Sequence, residues 1–226
     1  ADFKEDFVEL LKADKKIINE LVNEWAKINY DPKLDKFLRD LKSKFLNKKN
    51  NHSGKLVIFS ESKETITYLS DTLQDLGINK ILAISAANRK DKFPTIQLNF
   101  DANQDKAVWA NEYDIILTTE VLAEGVNLHR SNVIVNYDVP WNSTRLMQRI
   151  GRVNRIGTEA SEIHVFNFYP SDKSDNQIKL TNTAIKKLQA FHSAFGEDSQ
   201  IYSQLEEVGE AGLYGSKLKE EINETL

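Results

Sequence analysis

The segment Leu56-Val57-Ile58-Phe59 runs into Ser60-Glu61-Ser62, and then into a stretch with Ile66, Leu69, Leu73 and Leu76 at helical spacing that Gly77 stops. Four apolar residues without alternation describe a strand buried on both faces. The change of period to three and four describes an amphipathic helix ended by a glycine cap. This strand-then-helix unit repeats down the chain. Ile81-Leu82-Ala83-Ile84 reads as a second strand, and 89–101 as the next helix. Tyr113–Leu117, Val133–Tyr137 and Ile163–Phe168 supply three more strands. Strands separated by helices over 55–170 predict an α/β domain whose parallel sheet is covered on both faces. Ligands of such a sheet gather at the carboxyl ends of its strands.

Working outward, 3–49 reads as helical. Phe7, Leu10, Leu11, Ile17, Ile18, Leu21, Val22 and Trp25 recur at helical spacing, with a break at Asp31-Pro32. A second helix starts there and carries Leu34, Phe37, Leu38, Leu41 and Phe45 on one face. Lys48 to Gly54 is polar and reads as a loop. Beyond Pro170 a polar stretch, Ser171 to Asn176, leads to a helix with Ile178, Ile185, Leu188 and Phe191, and then to an acidic helical tail. The expected organisation is a helical lead-in over 1–54, the α/β lobe over 55–170 and a helical extension over 171–226.

The chain has 226 residues, 40% hydrophobic and 28% charged, the composition of a globular protein. No apolar run approaches the roughly 20 residues needed to span a bilayer, so no membrane partner is expected. The absence of cysteine removes disulfides, thiolate metal sites and thiol catalysis. His52, His129, His164 and His192 lie too far apart to suggest metal ligation, so no metal site is expected. No Gly-x-x-x-x-Gly-Lys-Ser/Thr loop is present, because Gly54-Lys55 opens directly into the first strand. No signal peptide is evident. The chain begins at Ala1 and its single methionine is Met147, which is expected of a fragment.

A net charge of −4 argues against a generic basic nucleic-acid binder, but the arginines are unevenly placed. Of seven in the chain, Arg145, Arg149, Arg152 and Arg155 fall within one short segment, 145–155. On a helix begun by Asn142 or Ser143, Gln148, Arg152 and Arg155 share one stripe. Arg145, Arg149 and Arg152 share an overlapping stripe, while Leu146, Met147, Ile150 and Val153 face the protein. Guanidinium forks suit phosphate oxygens. The same spacing equally describes a solvated face whose charges pair internally, with Glu124, Asp138 and Glu162 as partners.

Five segments in order resemble the second RecA-like lobe of superfamily 2 helicases and translocases, nearest the Swi/Snf-type ATPases. Gln148 to Gly157 resembles motif VI, Gln-x-x-Gly-Arg-x-x-Arg-x-Gly, at every defining position. Ile116 to Leu128 resembles motif V, Lys55 to Ser60 motif IV, Asp138-Val139-Pro140-Trp141-Asn142 the link before motif VI, and Asp31 to Leu34 the lead-in helix. Two positions depart from the Swi/Snf pattern: Thr158 stands where glutamine is usual, and motif V reads Ala123-Glu124-Gly125-Val126-Asn127. A bacterial helicase of DNA defence or repair fits as well as a remodeller.

The resemblance implies a RecA-like three-layer parallel sheet with N-terminal and C-terminal helical extensions. It implies the second motor lobe of an ATP-dependent DNA helicase, with ATP and Mg held mainly by an N-terminal lobe absent from this chain. Arg152 and Arg155 would be the catalytic arginine fingers, and Gln148, Glu124, Gly125 and Asn127 would face the nucleotide. Ser60, Lys63, Arg89, Thr118 and Thr119 would track nucleic acid, DNA in the first instance, although threonines at strand ends also serve turns and caps. Trp141 would stack on a base or fill the space between helix and sheet. The location implied is intracellular and cytoplasmic, nucleoid-associated in a bacterium. Two other functions remain open: a non-catalytic module of the same fold that binds nucleic acid or protein, and a nucleotide-sugar enzyme lobe. The second lacks the glycine-rich first turn it would need.

Overall fold

The computed structural model describes residues 7–140 and 142–169, and Ser143 at its backbone alone. The expectations for Trp141 and for the helical extension over 171–226 fall outside these residues. The chain divides into two compact units, Ala1–Leu41 and Lys42–Leu226.

The first unit holds two helices. Helix α1, Phe7–Trp25, has no buried residue, and its apolar side chains from Phe7 to Trp25 are exposed. The Asp31-Pro32 break lies where expected. The Asp31 carboxylate accepts the Leu34 amide at 2.9 Å, and Pro32 occupies the first position of α2, Pro32–Asp40. That is the favoured start, since proline's missing donor is one the first turn leaves unbonded anyway.

The second unit is built on five strands: β1 (Leu56–Phe59), β2 (Ile81–Ile84), β3 (Ile115–Thr118), β4 (Val133–Asn136) and β5 (His164–Asn167). All pair in parallel, in the order β2-β3-β1-β4-β5. Between them run α3 (Lys63–Asp75), α4 (Arg89–Phe100) and α5 (Ser143–Val153). Every residue of β1, β3 and β4 is buried, as the unalternating apolar runs predict. Val57, Phe59, Ile116 and Ile134 point to one face, where Ile96 and Phe100 of α4 and Leu146, Ile150 and Val153 of α5 cover them in one core cluster. On α3 the buried residues are Ile66, Leu69 and Leu73 of the apolar stripe, and that helix packs against β2 and β3. Phe45 packs on Phe166 of β5 at 4.8 Å between ring centroids. The architecture is the RecA-like α/β sheet, and it puts the ends of β1, β3 and β4 side by side.

Candidate functional site

Helix α5 starts as the sequence suggests, with Asn142 accepting the Thr144 amide at 3.0 Å. Its arginines do not form the expected outward stripes. Arg149 is fully buried, between Leu146 and Ile150 on the core side. All five of its donors are used. Nε and Nη2 donate to the Glu120 carboxylate at 3.1 and 2.5 Å, and Nη2 also to Glu61 at 2.5 Å. Nη1 donates to the Asn136 side chain at 3.0 Å and to the Asp138 carbonyl at 3.1 Å. The guanidinium lies 5.0 Å over the Phe59 ring. These partners come from the ends of β1, β3 and β4 and just past them, so Arg149 plugs the crevice there. Arg145, half exposed, pairs with Glu61 at 3.6 Å. The expected partners differ as well: Glu162 faces His164, and Asp138 gives Arg149 only its carbonyl while its carboxylate takes the Ser60 hydroxyl.

The stripe of Gln148, Arg152 and Arg155 is also corrected, because α5 ends at Val153. Thr158 makes the stop. Its hydroxyl, with one proton to share, lies 2.9 and 2.7 Å from the Val153 and Arg155 carbonyls, its amide donates to the Arg155 carbonyl at 3.0 Å, and its hydroxyl accepts the Arg155 amide at 3.2 Å. Arg155 therefore sits in a turn beyond the helix and not on its face. Gly157 takes a φ of +99°, a left-handed conformation open to glycine.

Arg155 folds back toward motif V. Its Nε donates to the Gly151 carbonyl at 3.0 Å, and its Nη1 donates to the Asn127 side-chain oxygen. The Asn127 amide nitrogen donates to Asp101 at 3.1 Å, so Asp101, at the end of α4, joins a site where sequence reading did not place it. Arg152 is half-buried, and its backbone carbonyl accepts the Leu128 amide at 2.9 Å. Its Nε is buried with no hydrogen-bond partner. Burial holds its guanidinium below the usual arginine range; Arg155 adds to this and Glu124 opposes it. The group stays charged at neutral pH. Neither Arg152 nor Arg155 has a carboxylate within ion-pair distance among the described residues, whereas Arg145 and Arg149 do. Gln148 stands one turn before Arg152 on α5, half-buried.

In the motif V loop, Gly125 takes a φ of +72°, and a Cβ there would fall 2.7 Å from Arg89 Nη2. That nitrogen donates to the exposed Glu124's carbonyl at 2.7 Å, so Arg89 belongs with the motif V loop. Ser60 and Thr118 are fully buried. The Ser60 amide donates to the Thr118 carbonyl at 3.0 Å, and the Thr118 hydroxyl turns to the Thr119 carbonyl at 3.1 Å. Their hydroxyls are thus spent inside the fold and do not face solvent. Lys63, in the first turn of α3, is exposed, and Thr119 is half-buried with no side-chain cap bond. Among the described residues no cluster of three or more histidine, aspartate or glutamate side chains could hold a metal ion. No described helix is long and apolar enough to cross a membrane.

Residues 33–157 match the helicase conserved C-terminal domain. The chain belongs to that family. An uncharacterised ATP-dependent helicase of Bacillus subtilis is 30% identical over 152 residues, 67% of this chain and 25% of that protein. The ATP-dependent RNA helicase sub2 of Neosartorya fischeri is 24% identical over 160 residues, 68% of this chain and 34% of its own. A crystal structure of the C-terminal part of the Fun30 ATPase domain superposes with a TM-score of 0.49 at 21% identity, covering 75% of this chain and 52% of that one. This helicase C-terminal domain thus spans a quarter to a third of these curated relatives. Within it the matched region contains Arg149, Arg152 and Arg155, Asn127 and Asp101.

Proposed function

We propose that this chain is the second motor lobe of an ATP-dependent helicase or translocase, with Arg152 and Arg155 as the arginines that meet the γ-phosphate of ATP. The observation that carries this reading is the division of the arginine cluster. Arg145 and Arg149 have carboxylate partners, while Arg152 and Arg155 lie together beside motif V without one. Two guanidinium groups without an ion-pair partner suit an anion with several oxygens. In phosphoryl transfer, charge spreads over the equatorial oxygens of the transferring group, and an arginine aimed at it lowers the barrier. Gln148, Glu124, Gly125 and Asn127 border the same place and would frame the nucleotide. Among the described residues no acidic cluster fits a magnesium site, and this reading assigns the metal and the phosphate loop to a first lobe.

Nucleic acid would run across the ends of β1 and β3, with Lys63 and Thr119 reaching phosphates. Ser60 and Thr118 would hold those strand ends together from within. A site that follows the phosphate backbone needs few positive charges, so an acidic chain is compatible with it. DNA is the proposed polymer, on the resemblance of motif VI and the Asp138–Asn142 link to the Swi/Snf-type branch. The test is the ATPase rate of the full-length protein with duplex DNA, single-stranded DNA and RNA. Stimulation by DNA is expected. Stimulation by RNA alone would reassign the polymer, and a nucleotide-independent protein without ATPase activity would return the lobe to a binding role.

A further inference from the structure

The Asp101 carboxylate is buried, with only 5% of the residue exposed, at the end of α4, and it faces three groups from two places in the chain. Oδ1 accepts the Asn103 amide at 3.0 Å and lies 3.6 Å from Nδ1 of the buried His129. Oδ2 accepts the side-chain amide of Asn127 at 3.1 Å. The far side of that same amide group accepts from Nη1 of Arg155. We propose that Asp101 is a positioning residue for Arg155, acting through Asn127.

Donor and acceptor chemistry fixes the arrangement. An ionised carboxylate can only accept, and a guanidinium can only donate. The Asn127 amide has one edge of each kind, so a single orientation satisfies both neighbours: nitrogen to Asp101, oxygen to Arg155. Turning the amide over would set NH2 against the guanidinium and oxygen against the carboxylate, losing both bonds. Asp101 thereby decides which edge Arg155 meets. The second anchor of Arg155, from Nε to the Gly151 carbonyl, fixes the stem of the guanidinium and leaves Nη2 for a ligand. His129 does not compete for Asn127. Burial holds its imidazole below the ordinary histidine range; the Asp101 charge opposes that shift and Arg155 reinforces it. This inference rests on the proposed finger role of Arg155, and its test separates the two.

Asp101→Asn leaves the fold's shape but removes the discrimination. The substituted amide must still accept the Asn103 amide with its oxygen, so it presents NH2 to the NH2 of Asn127. In the full-length protein, kcat for nucleic-acid-stimulated ATP hydrolysis is expected to fall on the order of 10²-fold in Asp101→Asn, the scale of a catalytic group displaced by about 1 Å. KM for ATP should stay near wild type. An unchanged kcat in Asp101→Asn, or a rise in KM for ATP in place of the fall in kcat, would overturn the proposal. Arg155→Lys is assayed alongside. If it leaves kcat unchanged, the finger reading fails. NMR of this chain then decides the positioning alone, through the Arg155 Nε–H and Asn127 side-chain amide signals. Loss of their distinct shifts in Asp101→Asn supports it; signals unmoved by Asp101→Asn overturn it.

Discussion

Arg149 shows how far a charge pattern can mislead. On the helix it shares a stripe with Arg145 and Arg152, and nothing local marks it as buried. The signal lies elsewhere, in Glu61 and Glu120, each two residues beyond the end of a strand, β1 and β3. Adjacent parallel strands bring those two carboxylates to one place, where only a fully donating side chain can compensate both. Removing a buried charge leaves its partners uncompensated, and the cost is commonly about 3–5 kcal/mol. Glu61 and Glu120 keep some contact with solvent, their side chains being 37% and 29% exposed. Arg149→Met is therefore expected to lose about 3 kcal/mol, near the lower end of that range. Arg149→Lys should fall between wild type and Arg149→Met, since an ammonium has three donors for the five hydrogen bonds that Arg149 makes. Urea unfolding of this chain measures both, and midpoints equal to wild type would show that Arg149 does not plug the crevice. Arg152 and Arg155 are separated from Arg149 by partners and not by chemistry, which is why residue type alone left the cluster open between phosphate binding and internal pairing.

At the scale of elements, the strands were legible to within two residues because a buried parallel strand leaves a bare apolar run. The parallel pairing of β1 with β3 follows the expectation, in the register Leu56↔Ile115 to Phe59↔Thr118. The end of α5 was not legible. Gly157 is the visible stop signal, yet the helix stops four residues earlier because the Thr158 hydroxyl takes the Val153 carbonyl. A side chain bonding back over five residues has no periodicity to read. Threonine at 158, a departure from the Swi/Snf pattern, thus shapes the turn that carries Arg155. Thr158→Val keeps the volume and removes the hydroxyl; the Val153 and Arg155 carbonyls keep the Arg155 and Thr158 amides as donors, so the cost is that of one hydrogen bond, about 0.5–1.5 kcal/mol. Thr158→Ser keeps the bond. Hydrogen exchange should show lost protection at the Asn154 and Thr158 amides in the valine variant and near-native protection in the serine variant. Equal exchange in both would place the stop elsewhere.

For the molecule as a whole, the sheet order and the position of motif V against motif VI bring Asp101, Asn127, Arg152 and Arg155 together from separate stretches of chain. Sequence order indicated motifs V and VI as neighbours, but Asp101 lay outside any motif, and Ser60 and Thr118 looked accessible because strand ends usually are. Without a phosphate loop or a metal-binding cluster among the described residues, this chain alone is expected to bind ATP weakly and to hydrolyse none. A steady ATPase rate from the purified chain, stimulated by nucleic acid, would contradict that. On the proposed function, Arg152 and Arg155 act on charge that develops at a phosphoryl group, and Arg145 does not. Lysine at either position keeps one positive charge and loses the fork. The most direct measurement is steady-state ATPase turnover of the full-length protein carrying Arg152→Lys, Arg155→Lys or Arg145→Lys, with a thermal melt of each. A loss of roughly 10³-fold or more is expected at 152 and 155, in the range for removing an arginine finger, with near-native turnover at 145 and all three melting as wild type does. Equal losses at the three positions, or a collapse of melting temperature at 152 and 155, would contradict it.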